Sequence, residues 1–127
     1  MLSIAICDDD IQLTGSMERL VEKIAKRNFV DTDIEVFWDG KSLADAVVAG
    51  GSFDIIYLDI EMSGEDGISA AKRIRQYDKN ALIIYVTSHE NHMKESFEVR
   101  PFQFLLKPVC EDQMEACFKA AYEEINS

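Results

Sequence analysis

Successive apolar runs of this chain end in carboxylates, a hydroxyl and a lysine. MLSIAIC is followed by Asp8, Asp9 and Asp10, and DIIYL by Asp59; ALIIYV is followed by Thr87 and Ser88, and FLL by Lys107 and Pro108. Three adjacent carboxylates repel one another strongly unless a cation neutralises them. Carboxylates that converge without bases suit a hard divalent ion. Mg²⁺ fits, because it takes one or two carboxylates and keeps positions for water and a phosphoryl group. The lysine supplies a mobile point charge to phosphate oxygens, and the threonine hydroxyl a hydrogen bond. An aspartate at the centre of such a set can accept a phosphoryl group as a nucleophile, with the metal and the lysine stabilising charge in the transition state. The residue types therefore read as phosphoryl transfer to an aspartate.

That chemistry requires the run-ends to meet. Leu2 to Cys7 reads as a strand, and Leu13, Met17, Leu20, Val21 and Ile24 then recur at helical spacing. Ile34 to Trp38 is a more alternating strand closed by the turn pair Asp39-Gly40, and Ser42 is placed to cap a short helix with Leu43 and Val47 inward. Phe53 to Leu58 is a third strand, followed by a helix marked by Ile68, Ala71 and Ile74. Ala81 to Val86 is apolar throughout, as a strand covered on both faces should be. A short helix with Met93 and Phe97 four apart, the strand Phe102 to Leu106, and a last helix with Met114, Cys117, Phe118, Ala121 and Ile125 inward complete the chain. Strands alternating with helices in this way imply parallel strands joined by right-handed crossovers, a three-layer α/β domain. In such folds the functional crevice lies at the carboxyl ends of the strands. Those ends are where the acids, the hydroxyl and the lysine stand.

The 127 residues are expected to form one domain, 1–127, with 47% apolar and 29% charged residues. Thirteen Lys and Arg against 24 Asp and Glu leave a net charge of −11, which repels nucleic-acid phosphates and argues against direct DNA or RNA contact. No apolar run reaches the ~18 residues of a membrane span, and the N-terminus lacks the basic and small-residue features of a signal peptide. Cys7, Cys110 and Cys117 have no metal-ligand spacing; Cys7 and Cys117 read as small buried hydrophobes of a protein in a reducing cytoplasm.

DDD after the first strand, LDIEMSGEDG, VTS and FLLKP together resemble the receiver domain of two-component response regulators, in order and spacing over nearly the whole chain. The resemblance implies a doubly wound, flavodoxin-like (βα)5 fold with strand order 2-1-3-4-5. It makes Asp59 the phosphoacceptor for a sensor histidine kinase, and a phosphorylated signalling domain rather than an enzyme. Asp8 and Asp9 would hold Mg²⁺ with Asp59 and the backbone carbonyl of Glu61. Thr87 and Lys107 would bind the phosphoryl oxygens, and Phe104 would be the aromatic that rotates inward as Thr87 moves. Lys107-Pro108 matches a cis peptide of the family. The readout face, toward an output domain or a second copy in a homodimer, would comprise the helix carrying Met93 and Phe97, the fifth strand and the last helix. The family usually has Pro after the loop methionine, where this chain has Ser63, which loosens that loop. EVRPFQFLLKPV looks most like receivers of the LytTR type (LytR- and AgrA-like), whose separate output domain binds DNA.

Plainer readings stand beside these. Asp10 reads as a cap for the first helix, where negative charge meets the positive end of the dipole. His89 and His92 have no evident third ligand and read as an exposed helix start. His89 also lies two residues past Thr87, at the rim of the site. Trp38 reads as packing on an edge strand. Two rival functions remain open: a receiver-like module that works without phosphorylation, and a phosphatase of the haloacid dehalogenase type, since Asp8-x-Asp10 fits an opening DxD. The second would need a further acidic motif downstream, and none is visible.

Overall fold

β1 (Leu2–Cys7) turns Leu2, Ile4 and Ile6 to one side and Ala5 and Cys7 to the other, so each face of the strand feeds a separate apolar cluster. The structure is a computed structural model and describes residues 1–62, 66–88 and 99–127. After β1 come α1 (Ile11–Arg27), β2 (Thr32–Phe37), α2 (Gly40–Val48), β3 (Ile55–Asp59), α3 (Gly67–Tyr77), β4 (Leu82–Thr87), β5 (Gln103–Leu106) and α4 (Glu111–Ile125). The strands form one parallel sheet in the order β2-β1-β3-β4-β5. The expected five-stranded three-layer fold is therefore present, with four helices among the described residues. The predicted helix carrying Met93 and Phe97 lies outside them.

Among the described residues, each face of the sheet is covered by a helix pair. Met17, Val21 and Ile24 of α1 and Met114, Cys117, Phe118 and Ala121 of α4 pack with Ile4, Ile6 and Tyr57. Leu43 and Val47 of α2 and Ile68, Ala71 and Ile74 of α3 pack with Cys7, Leu58 and Tyr85 on the opposite face. Every residue of β3 is buried, as a central parallel strand requires, whereas β2 alternates and exposes Asp33 and Glu35 at the sheet edge. Charges Lys23 and Arg27 of α1 pair with Glu111 and Glu115 of α4 outside the core.

Local differences from the expected elements have physical reasons. β2 begins at Thr32 because its ladder with β1 starts at the pair Leu2 and Thr32, which an apolar pattern does not mark. Phe53 precedes β3 and instead packs edge-on against Phe37, with ring centroids 5.9 Å apart. Asp39, not Ser42, caps α2: its carboxylate accepts the Ser42 N–H at 2.6 Å, and the Ser42 hydroxyl donates back at 3.0 Å. A charged acceptor at the positive end of a helix outcompetes a hydroxyl. Gly40 is accordingly the first residue of that helix rather than part of a turn.

Candidate functional site

Register brings the strand ends level. Cys7 pairs with Leu58, so Asp8 and Asp59 leave adjacent strands side by side. Thr87 pairs with Leu106, so Lys107 follows one step beyond on the next strand. The Lys107 N–H donates to the Thr87 carbonyl at 2.8 Å, and the Lys107–Pro108 peptide is cis.

Asp8 and Asp59 are only 2% and 5% exposed, and Asp9 is exposed above them. One oxygen from each of the three lies within 4.8 Å of the others. Two oxygens on one hard divalent ion stand at most about 4–5 Å apart, so this donor set fits Mg²⁺ or a similar cation. The Lys107 ammonium donates to Asp8 Oδ2 at 2.8 Å and stands 3.4 Å from Asp59 Oδ1. The Glu61 N–H reaches the same Asp59 oxygen at 3.4 Å, and the Asp10 N–H donates to Asp8 Oδ1 at 3.0 Å.

Burial and the Asp8 charge push the Asp59 carboxyl up to about 6, against the opposing pull of Lys107 and the Glu61 N–H. Burial pulls the Lys107 ammonium down, but its hydrogen bond to Asp8 and the charges of Asp59 and Asp8 outweigh this and raise it. Lys107 thus stays a cation while Asp59 is an anion held at some energetic cost. Cys7, beneath the acids, is pushed up to about 12 by burial and by Asp39, Asp8, Asp59 and Asp9, and so remains a buried thiol.

Of the residues expected to converge, Asp8, Asp9, Asp59 and Lys107 do so, and Thr87 is fully buried on the adjoining strand end. Asp10 has a different part, the one expected of it: its carboxylate caps α1 by accepting the Leu13 N–H at 3.0 Å, while Asp8, Asp9 and Asp59 form the acidic cluster. Glu61 is exposed, and Phe104 is half-buried with its ring 5.4 Å from that of Tyr85. Trp38 is 52% exposed, and its indole N–H donates to Thr14 Oγ1 at 3.2 Å. Ser63, His89 and His92 lie outside the described residues.

Reasoning from motifs missed Gly67. A Cβ there would stand 2.0 Å from the Asp59 carbonyl oxygen, so α3 approaches the end of β3 more closely than any side chain allows. The Gly67 N–H also donates to Ile60 O at 2.9 Å, and Asp66 caps α3 by accepting the Ser69 N–H at 2.8 Å. The Asp66-Gly67 pair was a visible sign of a tight helix entry.

The family model described as "Response regulator receiver domain" matches residues 4–119. The chain belongs to the response regulator receiver domain family. Among relatives of this receiver domain, the sensory transduction protein LytT of Bacillus subtilis is 26% identical over 126 residues, 99% of this chain and 50% of that protein. The positive alginate biosynthesis regulatory protein of Pseudomonas aeruginosa is 29% identical over 121 residues, 94% of this chain and 47% of that protein. The receiver thus spans about half the length of these curated relatives. A two-component response regulator from Clostridium difficile shares the fold with a TM-score of 0.84 and 22% identity, covering 100% of both chains. No helix among the described residues is long and apolar enough to cross a membrane.

Proposed function

We propose that this receiver, residues 1–127, takes a phosphoryl group from the phosphohistidine of a sensor kinase onto Asp59 in a Mg²⁺-dependent reaction. The supporting observation is a buried aspartate at the end of β3 whose oxygen stands 3.4 Å from Lys107 and beside Asp8 and Asp9. A new Asp59 Oδ–P bond forms as the donor's N–P bond breaks, with the bonding pair leaving on the imidazole nitrogen. Asp8, Asp9, Asp59 and the Glu61 carbonyl are the proposed ligands of Mg²⁺, which when bound neutralises charge on the phosphoryl oxygens. Lys107 stays protonated between Asp8 and Asp59 and is the proposed counter-ion of a phosphoryl oxygen; the Thr87 hydroxyl is the proposed donor to another.

Phosphorylation adds about −1.5 to −2 charges and biases a two-state equilibrium that Phe104 reports. The half-buried ring of Phe104 against Tyr85 supports that role. We read the domain as cytoplasmic and non-enzymatic beyond its own phosphorylation and dephosphorylation. Its output would be a LytTR-type DNA-binding domain in the full-length protein, and a homodimer would form through β5, α4 and the segment carrying Met93 and Phe97. The likeness to a sensory transduction protein and to a positive regulatory protein of alginate biosynthesis supports a regulatory output.

The reaction is tested by incubating the protein with Mg²⁺ and acetyl phosphate and weighing it intact. A single phosphoryl adduct, absent without Mg²⁺ and in Asp59→Asn, is expected. No adduct under any condition would sink the proposal, and steady turnover of assorted phosphate esters would replace it with a phosphatase.

The acidic triplet divides by role, which gives a second test. Asp9→Asn is expected to weaken Mg²⁺ binding by about tenfold or more, because it removes one of few anionic ligands. Asp10→Asn should leave affinity near that of the parent, since asparagine caps a helix as well as aspartate does. Titration calorimetry checks both, and equal losses would contradict the division.

A further inference from the structure

Arg75, in the last turn of α3, is half-buried and directs its guanidinium at backbone carbonyls. Its Nε–H donates to Val99 O at 2.6 Å, Nη2 to Arg100 O at 3.3 Å and Nη1 to Asp78 O at 3.3 Å. Two of those acceptors belong to the turn that leads into β5. The turn is strained: Arg100 has φ 53°, a left-handed conformation that L residues other than glycine avoid, and its side chain is exposed. Such a conformation persists only where its surroundings over-determine it. Among the described residues, the surroundings include the paired donations of Arg75 and, one residue past Pro101, the Phe102 N–H bonded to Ile83 O at 2.7 Å.

On the other side of this turn β5 carries Phe104, whose ring lies against Tyr85. Tyr85 is fully buried, and its hydroxyl has no hydrogen-bond partner among the described residues. A buried hydroxyl without a partner raises the energy of the arrangement that encloses it. An edge strand entered through a strained turn and packed through Phe104 against that tyrosine's ring has less to lose by rearranging than the central strands do. We infer that Arg75 is a positioning residue for the switch: it latches the Val99–Arg100 turn and so holds β5 and Phe104 in the resting arrangement.

The latch acts on the phosphoswitch proposed above and rests on that reading, but it touches no group at the phosphorylation site. Without it, Arg100 relaxes toward negative φ and the strand entry shifts. The population moves toward the alternative arrangement with no phosphoryl group present.

The test is amide exchange and aromatic NMR on the full, metal-free, unphosphorylated chain. Arg75→Gln is expected to speed exchange at Phe102 about tenfold and to move the Phe104 ring resonances, with Ile6 and Leu58 amides unchanged. Arg75→Lys, which keeps the charge but not the forked donation, should behave alike if the glutamine variant fails to fold. Arg100→Gly, which removes the strain itself, should shift both readouts the opposite way, and Arg75→Gln with Arg100→Gly should return toward the parent. A purely structural arginine would speed all three amides together, and that result overturns the latch. Unchanged Phe102 exchange and Phe104 resonances would overturn it equally. Because none of these readouts uses phosphorylation, an absent acetyl phosphate adduct would refute the phosphoswitch while the exchange data still decide the latch.

Discussion

Asp59→Asn is expected to make the receiver more stable at neutral pH while abolishing its phosphorylation. The parent buries an anion beside a second anion, Asp8, and Lys107 only partly compensates: the carboxyl is pushed up to about 6, from 3.8. A group whose native value is raised favours folding while it is protonated and loses that contribution as it ionises. Stability therefore falls as pH rises from about 4 to about 6, and the loss stays constant above that range. Asparagine keeps the shape, removes the charge and leaves Lys107 its stronger bond to Asp8 at 2.8 Å. The expected gain at pH 7 in the absence of metal is on the order of 1–3 kcal/mol, fading as the pH falls toward 4. Urea unfolding in EDTA at several pH values measures it. A loss of stability at pH 7, or a gain that does not depend on pH, would contradict the electrostatic reading of the site.

Gly67→Ala is expected to be among the most damaging single-methyl additions in the chain. The new Cβ would meet the Asp59 carbonyl oxygen at 2.0 Å and the Ile60 Cα at 2.8 Å, backbone atoms of the last residue of β3 and of the residue after it. No rotamer relieves a clash with backbone, so α3 must move away from β3. Gly67 is required here for space, since its own place is the first residue of a regular helix. Overpacking of this kind costs about 3 kcal/mol or more, which corresponds to a fall in Tm on the order of 10 °C. Adduct formation should slow as well, because the displaced element is the one that fixes Asp59. Thermal unfolding followed by circular dichroism checks the first effect and intact mass the second. A variant with parental Tm would show that the close approach is not maintained in solution.

Much of this architecture was legible because two signals coincide in the sequence. Runs such as ALIIYV have strand length and no polar face, and the residues that end them are the ones a parallel sheet gathers at one edge. Asp8, Asp59 and Lys107 could be grouped without knowing a distance, since topology alone puts carboxyl ends together. The division of Asp8 and Asp9 from Asp10 followed from the positive end of α1 and agrees with the Leu13 N–H on Asp10.

What escaped sequence reasoning depends on tertiary contact. The demand for glycine at 67 comes from the Asp59 backbone, and the bonds of Arg75 reach carbonyls 24 and 25 residues away. Neither leaves a periodic trace. The choice of Asp39 over Ser42 as the α2 cap turned on which acceptor reaches the free N–H groups, a matter of backbone angles at φ −154°, ψ 156°.

The claim on which the rest depends is that Asp59 is the residue phosphorylated. The most direct measurement is to treat the Mg²⁺ and acetyl phosphate product with borohydride, which reduces an acyl phosphate to an alcohol, and to sequence the peptides. Homoserine at position 59, and at no other aspartate, is the predicted result. Homoserine at Asp8 or Asp9, or unreduced Asp59 in a protein that carries the adduct, would contradict it.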